Sequence, residues 1–364
     1  MYSSKNLLQP SDSYLIVLKR YNSWAQLLPV LTVIYDGIQY VVRPIGGGFL
    51  FVSKDEGCAA IDMGHGFLEA LNIFVNRRHT SEPSLSTIQW THLISVLITH
   101  FHIDHWANFP YLVSLFYQKN TIKKTSKDYE VLTLFGSKEV VTHLKEIMKS
   151  FGRYDPTGKP IRFGKYYVLS PNGNSFSAST KPGAYIKRFP LVDSIWEVEK
   201  TEHIEVRHRC SGVGFRISLK NGTVIGMTGD TAYSKEIAEQ YKGVDLLILN
   251  VGDFERRIGV FPQDQHMKLL GAQRFIQVAE PRFAVITEYD FQEAGERLAV
   301  LKEFNMPKTK VLTGDIGMTI KLSNLSVRCD KCSNFVYPEH IFQRFVKEKE
   351  TNDFAVQNFC INCY

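Results

Sequence analysis

An apolar stretch that runs directly into three histidines and an aspartate constrains this sequence more than any other feature. Residues 92–99 are typical of a buried β-strand, and His100, His102, Asp104 and His105 follow at once. Because alternate residues of an extended chain point to the same side, His100 and His102 would present two imidazoles together. Asp104 and His105 would face an adjacent site where the chain turns. Buried imidazoles and carboxylates are costly without partners, so this cluster indicates metal binding rather than packing.

Strands and helices alternate along most of the chain, which indicates an α/β fold. Its 364 residues, 44% of them apolar and 22% charged, exclude disorder, collagen and coiled coil and allow two domains or one large domain with an appendage. Ser137 is a predicted N-cap of a helix that ends near residue 149, and residues 267–279 predict another helix. The proline-rich stretch 152–201 is predicted to be an excursion with short strands and the lid over a substrate.

The sequence His-Phe-His-Ile-Asp-His at residues 100–105 resembles the HxHxDH signature of the metallo-β-lactamase fold superfamily. The similarity extends over about residues 40–320 and includes Asp62 before a glycine turn, the segment around His208, and Asp230 in Thr-Gly-Asp-Thr. It implies a four-layer αββα sandwich with a binuclear metal centre at one edge. A water that bridges two divalent cations loses its proton near neutral pH, and the resulting hydroxide would attack the substrate.

The resemblance also implies roles for individual residues. The first metal would be held by His100, His102 and His208, the second by Asp104 and His105, with Asp230 as the bridge.

Three of these roles have alternatives. His143 and His203 are rivals of His208, but His143 falls in a predicted helix and His203 lacks the strand that follows His208. Asp230 has the alternative of a turn residue. Asp62 would orient the metal loop rather than bind metal.

The last ligand of the second metal departs from the pattern. In the branch that resembles transfer-RNA 3′-processing phosphodiesterases, a strand ends in Thr-His, whereas here the strand ends in Thr287-Glu288. Glu288 would complete an oxygen-rich site that accepts Mn²⁺ or Fe as well as Zn²⁺; its alternative is a surface charge. His266 matches the branch's histidine at the start of a helix, and it would donate a proton to the leaving oxygen or stabilise the charge there; its alternative is an exposed histidine near an N-cap. Asp104 and His266 are therefore the predicted catalytic residues.

The expected function is therefore binuclear metal-dependent hydrolysis of a phosphodiester in a nucleotide or nucleic acid. Two alternatives stay open: hydrolysis of an ester, thioester or lactone, and a non-catalytic metal-binding protein of an assembly. Transfer-RNA processing is disfavoured because the short interval between His208 and Asp230 lacks the long arm that those enzymes use. A β-lactamase is disfavoured because those enzymes usually carry cysteine at the position of Asp230.

Four of the six cysteines form two CxxC pairs close to residue 364: Cys329, Cys332, Cys360 and Cys363. Two such pairs predict one closed tetrahedral structural Zn²⁺ site, with disulfides or free thiols as the alternatives. We therefore expect a catalytic domain over residues 1–325 and a zinc-binding tail over residues 326–364.

The net charge of +6 is compatible with an anionic small molecule or a nucleic acid as the partner. The sequence has neither an apolar span long enough for a bilayer nor a signal peptide, so we expect no membrane contact and a cytoplasmic location. A homodimer is one option for assembly.

Overall fold

Two β-sheets lie face to face and carry helices on their outer sides. The computed structural model describes residues 10–20, 31–35, 37–42, 45–54, 57–77, 79, 81–122, 132–150, 164–169, 176–178, 185–186, 198–289, 297–304, 306–347 and 354–364, and the architecture is that of these residues.

The fold is built from short strands and helices, which are numbered in chain order. The strands are β1 (Tyr14–Val17), β2 (Leu31–Tyr35), β3 (Ile38–Val42), β4 (Phe49–Ser53), β5 (Gly57–Ile61), β6 (Leu93–Ile98), β7 (Leu132–Gly136), β8 (Gly164–Leu169), β9 (Phe176–Ala178), β10 (Tyr185–Ile186), β11 (Val198–Glu205), β12 (Val213–Leu219), β13 (Val224–Met227), β14 (Leu246–Gly252), β15 (Phe283–Tyr289), β16 (Lys310–Thr313), β17 (Thr319–Lys321), β18 (Ser326–Arg328), β19 (Phe335–Val336), β20 (Ile341–Lys347) and β21 (Phe354–Cys360). The helices are α1 (Phe67–Val75), α2 (Ile103–Trp106), α3 (Phe109–Thr121), α4 (Lys138–Ser150), α5 (Lys235–Gln240), α6 (Lys268–Ala279) and α7 (Arg297–Leu301).

The larger sheet has the strand order β10-β9-β8-β7-β6-β5-β4-β1-β17-β18-β19, and the smaller has β11-β12-β13-β14-β15-β16. Strands β5 to β8 run parallel to one another, as do β13 to β16. Strands β2 and β3 form a separate hairpin, and β20 and β21 form another.

The core has three hydrophobic layers. Successive residues of a strand point into different layers, because their side chains alternate between the two faces of the sheet. Leu15 and Val17 of β1 face the smaller sheet, whereas Tyr14, Ile16 and Leu18 face the helices α1, α3 and α4. A third cluster lies between the smaller sheet and α5, α6 and α7. Side chains on opposite faces of a strand enter different layers, so the predicted four-layer αββα sandwich is confirmed.

Several locally predicted elements are present in this fold. The expected strand 92–99 is β6, and the expected helix 267–279 is α6. Ser137 caps α4 as predicted, because its Oγ atom accepts a hydrogen bond from the Val140 amide at 3.3 Å. Of the stretch 152–201, only strands β8 to β10 and the start of β11 are described, and the predicted lid lies otherwise outside the described residues.

The cysteine-bearing tail is joined to the body by sheet hydrogen bonds. Strand β18 pairs with β17, and β19 pairs with β18, so the expected boundary at residue 325 falls inside the larger sheet. The division into two domains stays a prediction. Among the described residues, no helix is long and apolar enough to cross a membrane.

Candidate metal centre

Metal-ligating side chains gather where several strands end at one edge of the sandwich. Asp62 follows β5, the residues 99–102 follow β6, and Asp230 lies three residues beyond β13. Strand β15 brings Glu288, and His208 lies between β11 and β12. Carboxyl ends of parallel strands share one edge of a sheet, which is why residues distant in sequence meet here.

His100, His102 and His208 form the first group of candidate ligands. Each offers a ring nitrogen, and these atoms lie within 4.8 Å of one another. The ring of His208 lies 4.6 Å from that of His100 and 4.6 Å from that of His102, centroid to centroid. The sequence-predicted set for the first metal is therefore brought together by the fold.

The imidazoles of this group are held neutral. Burial, followed by the nearby His105, lowers the pKa of His100 well below its ordinary value. Burial also lowers the pKa of His208 to about 4, an effect that Asp230 partly offsets. The Nε2 atom of His100 and both ring nitrogens of His208 are buried without a hydrogen-bond partner. Neutral imidazole with a free lone pair is the form that binds a metal.

Asp230 lies between this group and the second one. Its Oδ1 atom accepts a hydrogen bond from Asn250 Nδ2 at 2.8 Å, and Asn250 in turn accepts from Thr287 Oγ1 at 2.9 Å. Its Oδ2 atom lies 3.6 Å from His100 Nε2 and 3.1 Å from His105 Nε2. The position between two groups of donors matches the bridging role that the resemblance implies, and that role stays a prediction.

The second group contains Asp104, His105 and Glu288, whose ligand atoms lie within 4.8 Å of one another. Nδ1 of His105 lies 2.9 Å from Asp62 Oδ2, so Asp62 contacts the metal loop as expected. Burial lowers the pKa of His105, but Asp230 and Asp62 outweigh burial and raise it to about 10. Asp62, directly after β5, and Glu288, the last but one residue of β15, have positive φ values of 53° and 62°, a conformation uncommon for residues other than glycine.

Lys19 enters this second group and was missed by sequence reasoning. Its Nζ atom forms an ion pair with Glu288 Oε2, and both side chains are fully buried. A lysine after an apolar strand is most simply read as the solvent-exposed end of that strand, so the sequence offered little signal. Glu288 thus lies among the expected ligands, but its charged partner is an ammonium group.

His266 lies at the open side of the centre. Its Nδ1 atom is 3.8 Å from Asp230 Oδ2, its ring is 5.8 Å from that of His208, and 29% of its side chain is exposed. Gly252, at φ 88°, makes room for it, because a Cβ atom on Gly252 would overlap the Cβ of His266. Its ring nitrogen also belongs to a possible ligand set with His208 and Asp230.

The rivals of His208 can be located only in part. His143 is exposed on α4 and stacks on Phe101 with ring centroids 4.5 Å apart, outside the donor groups found among the described residues. His203 belongs to β11, and its side chain lies outside the described part of the chain.

The four tail cysteines form a separate cluster. Their sulfur atoms lie within 4.8 Å of one another, and Cys332 Sγ is 3.8 Å from Cys360 Sγ. Four sulfurs about 2.3 Å from a tetrahedral zinc ion would be about 3.8 Å apart. Burial raises the pKa of Cys329, but the amides of Cys332, Cys360 and Lys331 lower it to about 7, which favours the thiolate. All six cysteines are free thiols rather than disulfides.

A four-layer sandwich with a histidine- and aspartate-rich cluster at the strand ends defines a metal-dependent hydrolase of the metallo-β-lactamase fold. The family model of the beta-lactamase superfamily domain matches residues 61–289, more than half of the chain, and the chain belongs to this family. No curated protein is significantly similar to it in sequence.

Three solved structures with the same fold match this chain over nearly their whole length. The metallo-β-lactamase fold protein YhfI from Bacillus subtilis is 15% identical, with a TM-score of 0.55, over 85% of this chain and 98% of that chain. The short form of human tRNase Z is 14% identical, with a TM-score of 0.50, over 85% and 99% of the two chains. A diphosphatase of the PhnP family is 13% identical, with a TM-score of 0.51, over 85% and 98%. Identities this low show a shared fold alone.

Proposed function

We propose that this protein is a metal-dependent phosphodiesterase that acts on a nucleotide or a nucleic acid. His100, His102, His208 and Asp230 would hold a divalent ion, since their ring nitrogens and carboxylate converge and several of these atoms have no hydrogen-bond partner. An ion bound there would supply Lewis-acid polarisation of the phosphoryl group and lower the pKa of a water molecule. The protein's own residues orient the donors and handle the proton.

His266 is the observation that carries the choice of a phosphodiester, because it matches the histidine at a helix start in the phosphodiesterase branch that the sequence resembles. Hydrolysis of a phosphodiester releases an alkoxide, which needs a proton as it leaves. His266 lies beside the buried donors but is partly exposed, with its Nδ1 atom 3.8 Å from Asp230 Oδ2, so a substrate at the cleft could contact it. The carboxylate of Asp230 would help to orient the ring of His266 for the transfer.

The surroundings of the cleft support an anionic substrate. Arg207 and Arg209 flank His208 in sequence, and both side chains are exposed. Arg207 pairs with Glu236 at 3.5 Å, so Arg209 is the better candidate to contact an anion. The loop that carries His266 also presents Phe261, 38% exposed, as an aromatic surface for a base. Among the similar structures, one is named as a tRNase and one as a diphosphatase, which favours phosphoryl chemistry.

The test compares hydrolysis of bis(p-nitrophenyl) phosphate with that of p-nitrophenyl acetate by the zinc-loaded protein. We expect phosphodiester turnover that Asp230→Ala and His102→Ala abolish, while the matched control His143→Ala, outside the cluster, retains it. Circular dichroism would verify that each variant is folded. Turnover of the acetate alone would instead support the ester, thioester or lactone alternative. Retained phosphodiesterase activity in Asp230→Ala would refute the assigned site.

The cysteine cluster is proposed to hold a structural zinc ion. Its four sulfurs leave no open position for chemistry, so zinc would stabilise the tail rather than take part in the reaction. The six cysteines form no disulfide, which suits a reducing compartment and supports the proposed cytoplasmic location. A homodimer stays a proposal that size-exclusion chromatography with light scattering would test.

A further inference from the structure

Lys19 is buried in the second group of donors because the chain approaches the metal loop closely there. The Leu18 amide donates to Gly48 O at 2.9 Å, and a Cβ atom on Gly48 would overlap the backbone oxygen of Asp62. Only glycine permits this approach. The end of β1 therefore lies against the turn at Asp62, and the side chain of Lys19 reaches inward rather than into solvent.

The ammonium group of Lys19 lies among carboxylates that a second metal would need. It is ion-paired with Glu288, and only 1% of the Lys19 side chain is exposed. Burial lowers the pKa of Lys19 below its ordinary value, and the charges of Asp230, Asp62 and Asp104 offset only part of that effect. Buried carboxylates require a nearby cation, and a lysine provides a compact point charge with three donors.

We propose that the Lys19 ammonium, ion-paired with Glu288, takes the place of the second metal, so that the active site binds one divalent ion. A divalent ion among Asp104, His105 and Glu288 would lie close to this buried positive charge and be repelled by it. It would also have to displace Lys19 from Glu288. In the first group, the pairs that Asp230 forms within the described part of the chain are with His100, His105 and His266, and none is with a lysine or an arginine.

This inference rests on the proposed function only for the location of the active site. Lys19 acts there as a positioning residue. It holds Glu288 and neutralises the carboxylates, and its burial keeps it from touching a substrate. A second metal in related chemistry stabilises charge on substrate oxygens, so a single-ion centre would depend more heavily on His266 and on exposed arginines.

Metal content of the 364-residue protein tests the proposal. The protein is loaded with Zn²⁺, desalted, and analysed for zinc and sulfur by inductively coupled plasma mass spectrometry. We expect about two zinc ions per chain in the wild type, one in the active site and one in the cysteine cluster. Lys19→Met, which keeps the length of the side chain but removes the charge, should raise the value to about three.

The matched control is Lys321→Met. Lys321 is a partly exposed lysine on β17, paired with Asp12 at 3.3 Å, and its removal should leave the zinc content unchanged. About three zinc ions in the wild type, or no gain of zinc in a folded Lys19→Met protein, would overturn the proposal.

A second measurement needs no variant and guards against failure of Lys19→Met to fold. Electron paramagnetic resonance of the wild type loaded with Mn²⁺ should show isolated ions, whereas an exchange-coupled pair would overturn the proposal. The absence of hydrolysis of any phosphodiester would contradict the proposed function but would leave these metal counts untouched. The two ideas can therefore fail separately.

Discussion

The hydroxyl group of Thr99 donates a hydrogen bond to Oδ2 of Asp62 at 2.9 Å, and its oxygen lies 3.1 Å from Nδ1 of His100. Because the hydroxyl hydrogen is directed to Asp62, the oxygen is left to accept, and His100 must carry its proton on Nδ1. Nε2 of His100 is then the unprotonated atom, and it is the one that faces Asp230. Asp62 thus sets the tautomer of His100, a candidate metal ligand, through the hydroxyl group of Thr99.

Replacement of Thr99 by valine removes this relay with almost no change of shape. We expect Thr99→Val to weaken zinc affinity about 10- to 100-fold, because the partners that orient a metal-bound histidine have effects of this size. Competition with a zinc chelator would measure it. Thr142→Val, an exposed threonine on α4, is the control, and an equal loss in both variants would contradict the relay.

Replacement of His266 separates two possible roles for this residue. As a proton donor, His266→Gln should lower kcat about 10²- to 10⁴-fold while the zinc content stays the same. If His266 is instead a metal ligand with His208 and Asp230, His266→Gln should lower the zinc content. Turnover of a dinucleotide, whose alkoxide leaving group needs a proton, and zinc analysis of the same preparation decide between them, and loss of zinc would rule out the proton donor role.

The cysteine cluster predicts a zinc ion whose removal affects stability more than chemistry. Cys363→Ser should lose about one zinc ion per chain and lower the thermal unfolding temperature, since structural zinc contributes directly to folding. Cys210→Ser removes a thiol outside the cluster and serves as the control. If Cys363→Ser unfolds at the wild-type temperature, the zinc has no structural role.

His79 predicts a loss of stability in acid. Its Nε2 atom donates to Phe74 O at 2.8 Å, and its Nδ1 atom accepts from Arg328, so the ring is buried in the neutral form. Burial, and then the charge of Arg328, lower its pKa from 6.5 to about 4. The unfolded chain therefore binds a proton that the folded chain does not, and stability present above about pH 6.5 falls as the pH decreases towards 4.

The expected size of this effect is about 1–3 kcal/mol. Chemical denaturation of the wild type and His79→Gln at pH 7.5 and pH 5 would measure it, and the variant should lose less stability between the two values. The exposed His340 provides the control variant His340→Gln. The same pH dependence in all three proteins would exclude His79 as its source.

Much of the site was predictable because it is encoded locally. The strand before His100 and the turn after His102 follow from short-range pattern, and the predicted ligands converge as the resemblance implied. Lys19 was not predictable in this way. Its contact with Glu288 joins residues far apart in sequence, and it depends on how the larger sheet, which contains β1, packs against the smaller sheet, which contains β15. A glycine at position 48 is needed for the approach, but a sequence does not show what a glycine lies against.

The tail illustrates the same limit. Spacing of the cysteines predicted a cluster, and the sulfur atoms do meet. Spacing did not reveal that Asp315 binds Arg20 at 2.8 Å and Arg297 at 3.0 Å and also accepts from the Val356 amide of the tail. These contacts connect the body and the tail through a buried charge cluster, which no local sequence pattern indicates.

Because Lys19 and Arg20 are consecutive, one short segment faces the metal centre and the buried carboxylate that anchors the tail. Removal of residues 326–364 would uncover the edge of β17, an unpaired strand of the kind that recruits other chains. It would also take from Asp315 its tail partner at 2.7 Å. We expect a protein shortened at residue 325 to aggregate rather than to fold as a smaller enzyme. The body would therefore depend on the tail for its solubility.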